Sequence, residues 1–136
     1  MRRLPLLPRA MLISVWLLLM AACPGCSHSP EPSAVVPDNA QSGIASYYGR
    51  KFEGRRTANG ERYRGDGFTA AHRSLPFGSR IRITHVASGR SVECRVNDRG
   101  PFRKGRIVDL SHRAAEALGI LSTGLARVRL EVLEAP

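Results

Sequence analysis

Apolar and polar residues alternate in three stretches of this chain. Residues 79–84 (SRIRIT) set Ile81 and Ile83 against Arg80 and Arg82, the period of two expected of a half-buried strand. Residues 91–96 (SVECRV) align Val92, Cys94 and Val96, and Ala87-Ser88-Gly89-Arg90 between the two runs reads as a turn, so together they form a hairpin. Residues 126–132 alternate Ala126, Val128, Leu130 and Val132 with Arg127, Arg129 and Glu131. Shorter candidate strands fall at 43–48 and 68–71, and short β-branched runs precede Asp98 and Asp109. The one clear helical pattern is 111–118: Ser111 caps it, Ala114, Ala115 and Leu118 give it an apolar face, and Gly119 stops it. Many short strands with one or two short helices imply a mainly β, compact barrel. Closure of the sheet removes the unpaired edges that an open one exposes.

The N-terminus follows a different pattern. An apolar run from 11 to 22, broken only by Ser14, follows Arg2, Arg3 and Arg9. This is the layout of an export signal, and the run is short of the roughly 20 residues of a bilayer span. Met20-Ala21-Ala22-Cys23 resembles a bacterial lipobox with Met where Leu is more usual. That resemblance implies cleavage before Cys23 and attachment of diacylglyceryl and palmitoyl chains to it. The alternatives are an ordinary signal cut nearby, with Cys23 incidental, and an uncleaved anchor. Residues 27–42 (SHSPEPSAVVPDNAQS) hold three prolines and little periodicity, the composition of an extended tether. The expected organisation is a signal over 1–22, a lipidated tether over 23–42 and one folded domain over 43–136.

Charge and cysteine usage narrow the partners. The chain carries 21 Lys and Arg against 11 Asp and Glu, and removal of the signal's three arginines leaves 18 against 11, a net +7. Such a balance suits an anionic polymer or surface. For an exported, lipid-anchored domain, cell wall and lipid headgroups fit better than nucleic acid. Three cysteines are too few for a disulfide scaffold, and no Cys/His spacing suggests zinc. His28, His85 and His112 are not spaced as ligands with any carboxylate, so neither metal nor cofactor is expected. Cys94 reads as a small buried apolar residue.

The densest chemistry lies in Val96-Asn97-Asp98-Arg99-Gly100-Pro101-Phe102 and Gly105-Arg106-Ile107-Val108-Asp109-Leu110-Ser111. Paired carboxylates beside glycines and arginines are the equipment of glycoside cleavage, where one group gives a proton to the glycosidic oxygen. They also suit plain structural work. Asp98 before Arg-Gly-Pro can accept turn amides, and Asp109 before the helix can offset its dipole.

Five motifs, taken in order, resemble the rare lipoprotein A (RlpA) domain. They are Gly43-Ile44-Ala45-Ser46-Tyr47-Tyr48-Gly49, the segment Phe52 to Glu61 (FEGRRTANGE), Thr69-Ala70-Ala71-His72-Arg73-Ser74-Leu75-Pro76-Phe77-Gly78, Val96-Asn97-Asp98-Arg99-Gly100-Pro101, and Arg106-Ile107-Val108-Asp109-Leu110-Ser111. The resemblance implies a six-stranded double-psi β-barrel, the fold shared with expansins, barwin-type proteins and membrane-bound lytic transglycosylase A. It also implies a monomeric lipoprotein of the cell envelope, anchored through Cys23, facing the periplasm from the outer membrane. The implied activity is lytic transglycosylation of peptidoglycan, cutting the MurNAc–GlcNAc β-1,4 bond to leave a 1,6-anhydro-MurNAc end. Tyr47 stands where many relatives have Trp, and His85 where Asn is usual. The C-terminal SPOR domain of many relatives is not expected here, so septal targeting and preference for peptide-free glycan are not carried over.

By the same resemblance, Asp109 matches the essential Asp of expansins and the related transglycosylase, and Asp98 the other acid of their groove. Glu61 is the third candidate catalytic carboxylate, with a solvated loop residue as the alternative. His72, Tyr48, Arg99, Asn97 and Thr57 are assigned to substrate contact. His72 would bind an acetamido group or orient an Asp, or else be a satisfied structural histidine. Of Tyr47 and Tyr48, which alternate, one faces out to stack on a sugar and the other joins the core. Arg99 would grip a lactyl or peptide carboxylate, or else close an ion pair in its turn. Two further function classes stay open: an expansin-like glycan binder that breaks no bond, and a structural envelope lipoprotein that uses its basic surface.

Overall fold

The computed structural model describes residues 39–136, and within it six strands close into one barrel in the order β1-β5-β2-β4-β3-β6. The signal at 1–22, Cys23 and the tether as far as residue 38 lie outside the described residues. The strands are β1 (Gln41–Tyr47), β2 (Thr69–Ala71), β3 (Arg80–His85), β4 (Ser91–Asp98), β5 (Arg106–Leu110) and β6 (Ala126–Glu134), with one helix, α1 (His112–Leu118), and a 3-10 turn at Arg50–Phe52. β1–β5 and β2–β4 pair in parallel and all other neighbours antiparallel.

The alternating stretches behave as their pattern demands. Ile81, Ile83, Val96, Val128 and Leu130 are fully buried, while the intervening Arg80 and Arg82 reach Glu93 outside the barrel. The hairpin expected at 79–96 is the β3–β4 pair, with Thr84 opposite Ser91. Ser111 caps α1 by accepting the Ala114 N–H, and Gly119 ends it in the left-handed conformation. Ala114, Ala115 and Leu118 are turned into the core, so the helix plugs one side of the barrel.

Two irregularities matter for the site. In β5, Arg106 pairs with Ile44 but Val108 with Ala45, which leaves Ile107 as an extra residue. In β4, Val96 pairs with Ala70 but Asp98 with Ala71, which leaves Asn97 extra. Each is a β-bulge, and a bulge reverses the face on which all later side chains of its strand appear.

Candidate active site

Beyond its bulge, each of β4 and β5 presents an aspartate at the same level of the barrel. Asp98 on β4 and Asp109 on β5 are both register partners of Ala71 on β2, and Ser46 on β1 is the next partner of Asp109. Side chains paired across a sheet share a face. The row Ser46–Asp109–Ala71–Asp98 therefore carries two carboxylates with only an alanine between them. Two strand spacings put their backbones roughly 10 Å apart. Both line one open cleft of about 590 Å³, together with Tyr48, Phe52, Phe102 and the arginines 55, 56, 99, 103 and 106.

The two carboxylates are held by different chemistry. Asp98 Oδ2 accepts the Tyr48 hydroxyl at 2.7 Å, and its Oδ1 accepts the amides of Ala58 at 2.9 Å and Arg99 at 2.8 Å. All three donors are uncharged. Asp109 Oδ1 instead takes the Arg106 guanidinium and the Ser46 hydroxyl, and Arg106 also donates to Ser46. Arg106 Nε is buried without a partner among the described residues. Burial and the hydrogen bond to Asp98 push the Tyr48 hydroxyl far above the usual phenol range, so it stays protonated. Its ring is wedged between Tyr63 at 4.9 Å and Phe52 at 5.5 Å. Tyr48 is thus a support for Asp98 rather than an open stacking face. Tyr47, the other member of the alternating pair, packs against the core and donates to the Leu121 carbonyl.

Glu61 lies in the 57–61 loop, outside the residues lining the cleft. Its two oxygens accept both terminal nitrogens of Arg95, at 2.7 and 2.9 Å, and the amides of Asn97 and Asn59. The Arg95 hydrogen bonds hold the Glu61 carboxyl down at about 2. A group that ionised carries no proton to donate near neutrality. Its pairing anchors the loop whose Ala58 N–H reaches Asp98.

Four expected substrate contacts are turned inward. His72 is 4% exposed; its Nδ1 accepts the Ser74 and Leu75 amides and its Nε2 meets Gln41. Burial, then the nearby Arg99 and Arg73 charges, lower its pKa and keep it neutral. It pins the loop after β2 instead of facing the cleft. Asn97, the bulge residue, is buried and donates to Glu61. Thr57 is buried and ties its own loop through Asn59 and the Glu61 carbonyl. Arg99 borders the cleft, but its guanidinium donates to the His72 and Leu75 carbonyls and stacks 3.8 Å above the Phe77 ring. Among the described residues Arg99 forms no ion pair.

Arg106 and Ser46 escaped the sequence reading. Residues three apart on a regular strand face opposite ways, and only the Ile107 bulge brings Arg106 round to Asp109. Among the described residues no cluster of His, Cys, Asp and Glu is placed to hold a metal ion. Cys94 is 3% exposed in the core, and burial pushes its thiol up to about 12.

A family model described as "Lytic transglycolase" matches residues 40–130, from the residue before β1 to within β6. The probable endolytic peptidoglycan transglycosylase RlpA of Nostoc sp. is 53% identical over 114 residues, covering 77% of this chain and 31% of that protein. The endolytic peptidoglycan transglycosylase RlpA of Pasteurella multocida is 44% identical over 110 residues, covering 81% of this chain and 37% of its own length. The chain thus spans about a third of the length of these curated relatives. Among solved structures, Streptomyces papain inhibitor superposes with a TM-score of 0.57 at 19% identity, over 71% of this chain and 96% of that one. An expansin of Clavibacter michiganensis superposes with a TM-score of 0.56 at 20% identity, over 71% and 52%. These two likenesses show the barrel fold alone. With five strands and the start of the sixth, both bulges and both aspartates inside the matched span, the chain belongs to the lytic transglycolase family of double-psi β-barrels.

Proposed function

We propose that this protein is a cell-envelope lipoprotein that cleaves peptidoglycan glycan strands as a lytic transglycosylase, breaking the MurNAc–GlcNAc β-1,4 bond and leaving a 1,6-anhydro-MurNAc end. The observation that carries this reading is the row that sets Asp98 and Asp109 on one face of one cleft. In such a reaction the sugar's own C6 hydroxyl attacks the anomeric carbon, so no water is consumed. One carboxyl group protonates the departing glycosidic oxygen and, as carboxylate, then takes the proton of the C6 hydroxyl.

Asp98 suits the proton carrier. Its partner on Oδ2 is a hydroxyl, which donates to a carboxylate and can turn to accept from a carboxylic acid. Asp109 faces a guanidinium, which has donors only. It supplies a fixed negative charge opposite the positive charge that develops at the anomeric carbon. Of the cleft's arginines, the exposed Arg55, Arg56 and Arg103 suit a polymer that carries carboxylates. Glu61 serves here as the latch of the 57–61 loop, and carries no proton. The basic leader, the apolar run and Cys23 support a lipid-anchored protein facing the periplasm.

Digestion of purified sacculi, with mass spectrometry of the products, tests the reading. Wild type releases anhydro-muropeptides, and Asp98→Asn lowers the rate at least about a hundredfold, the usual worth of a general acid. Sedimentation with sacculi and no anhydro product under any condition would instead establish a binder.

A further inference from the structure

Three aromatic side chains line the cleft, and two of them are committed elsewhere. Tyr48 holds Asp98 and packs between Tyr63 and Phe52. Phe52 meets the Tyr48 ring and has Lys51 Nζ 5.3 Å and the Arg55 guanidinium 5.5 Å from its ring centre. Phe102 is 83% exposed, the most of any large apolar residue among the described ones, and no ring or cation there packs on it. A single exposed apolar residue is ordinary on a protein surface. This one stands out because its loop is pinned. Arg73, in the segment after β2, donates from Nε to the Pro101 carbonyl at 2.6 Å and from Nη2 to the Arg103 and Arg106 carbonyls at 2.9 and 2.7 Å. Gly100 turns the chain at a φ of +122°, which other residues rarely adopt. At the root of the loop, Arg99 is tied in return to the His72 and Leu75 carbonyls. The backbone on both sides of Phe102 is therefore fixed while its ring stands free.

We propose that Phe102 is a stacking platform for one pyranose ring of the glycan, and so sets where the strand lies over Asp98 and Asp109. The inference rests on the glycan reading above and adds to it a residue that positions the strand. A pyranose ring presents C–H groups on its face and hydroxyl or acetamido groups at its rim. It therefore matches one aromatic ring with polar groups around it, and Phe102 shares the cleft with Arg55, Arg56, Arg103 and the two aspartates. A protein or an acyl chain needs a contiguous apolar patch instead. The other exposed large apolar residues, Phe68, Val86, Leu125 and Leu133, all lie outside the lining of the cleft. A loop already held in place also loses little freedom when the sugar binds.

Calorimetric titration with a peptide-free glycan tetrasaccharide, in full-length protein carrying Asp98→Asn to stop turnover, tests this. Adding Phe102→Ala or Phe102→Leu weakens binding about tenfold, whereas Phe102→Tyr, which keeps the ring, stays within about threefold. Urea midpoints stay unchanged, as befits so exposed a side chain. Equal affinity in the Phe and Leu proteins, a Tyr variant as weak as Ala, or no binding to Asp98→Asn itself overturns the proposal. So does a loss of affinity in Ala and Leu matched by a fall in their urea midpoints, since the ring would then be holding the loop. Digestion of sacculi by wild type separates the two readings. If it releases anhydro-muropeptides while all four proteins bind the tetrasaccharide equally, the platform falls and the cleavage reading stands. If it releases none while Ala and Leu lose affinity, the cleavage reading falls and the platform stands.

Discussion

Glu61→Gln separates a latch from an acid catalyst. The folded state holds the Glu61 carboxyl at about 2 against an ordinary 4.5, chiefly through the two Arg95 hydrogen bonds. Because the folded value is the lower one, the contribution is fully present above the unfolded value, and it is lost as pH falls from about 5 toward 2. At 1.36 kcal/mol for each unit of pKa, the difference sets an upper bound of about 3 kcal/mol. The Arg95 and Glu61 side chains are 43% and 41% exposed, however, so water screens the pair and about 1 kcal/mol is expected. Urea unfolding at pH 7 should show Glu61→Gln weaker by that amount, and the gap should shrink as pH falls below about 5 and close only below about 2. Arg95→Gln should lose a similar amount, and the double variant little more than either. Release of anhydro-muropeptides should fall too, since the loop that offers the Ala58 amide to Asp98 loosens. A stability gap that stays constant from pH 7 to pH 2.5 would refute the assignment of the latch to the ionised pair.

Three further outcomes are expected. Leu118→Ala empties a fully buried position between helix and barrel and should cost about 2–5 kcal/mol in urea unfolding; a loss below 1 kcal/mol would mean α1 is not part of the core. Cys94, with its thiol pushed up to about 12, should resist iodoacetamide at pH 8 in the native protein and react once unfolded, read from its own tryptic peptide. Gly43→Ala places a Cβ 2.5 Å from the Ile107 side chain at the β5 bulge and should cost about 1–3 kcal/mol. Adding Ile107→Ala should recover much of that steric penalty, and a double variant no better than additive would rule the clash out.

Much of the barrel could be read from periodicity because its strands bury one face each. Ile81, Ile83, Val128 and Leu130 lie inside as their alternation requires. Helix α1 could be read because its cap, apolar face and glycine stop are all local. Strand order could not, since the parallel pairs β1–β5 and β2–β4 join segments distant in sequence. The polar residues of the motifs were the least legible. His72, Asn97, Thr57 and Arg99 stand in the same motifs as the aspartates, yet their hydrogen bonds go to backbone and neighbouring side chains. A motif marks a residue as constrained, and a buried loop that must satisfy its polar groups constrains residues as strongly as a ligand does.

The acidic pair owes its geometry to the two bulges. Without Asn97 as an extra residue in β4, Asp98 would fall out of step with Ala71 and lie on the opposite face of the sheet. Without Ile107 in β5, Arg106 and Asp109 would point opposite ways and their pairing could not form. Neither bulge has a signal in the alternation of hydrophobic residues, because only the polar Asn97 and Asp98 follow Val96 in β4, and a single residue precedes Ile107 in β5. Each bulge is also secured from elsewhere. Asn97 bonds Glu61, and Ile107 fills the space left by the missing side chain of Gly43. Glu61 and Gly43, both outside the lining of the cleft, therefore control which way its aspartates face.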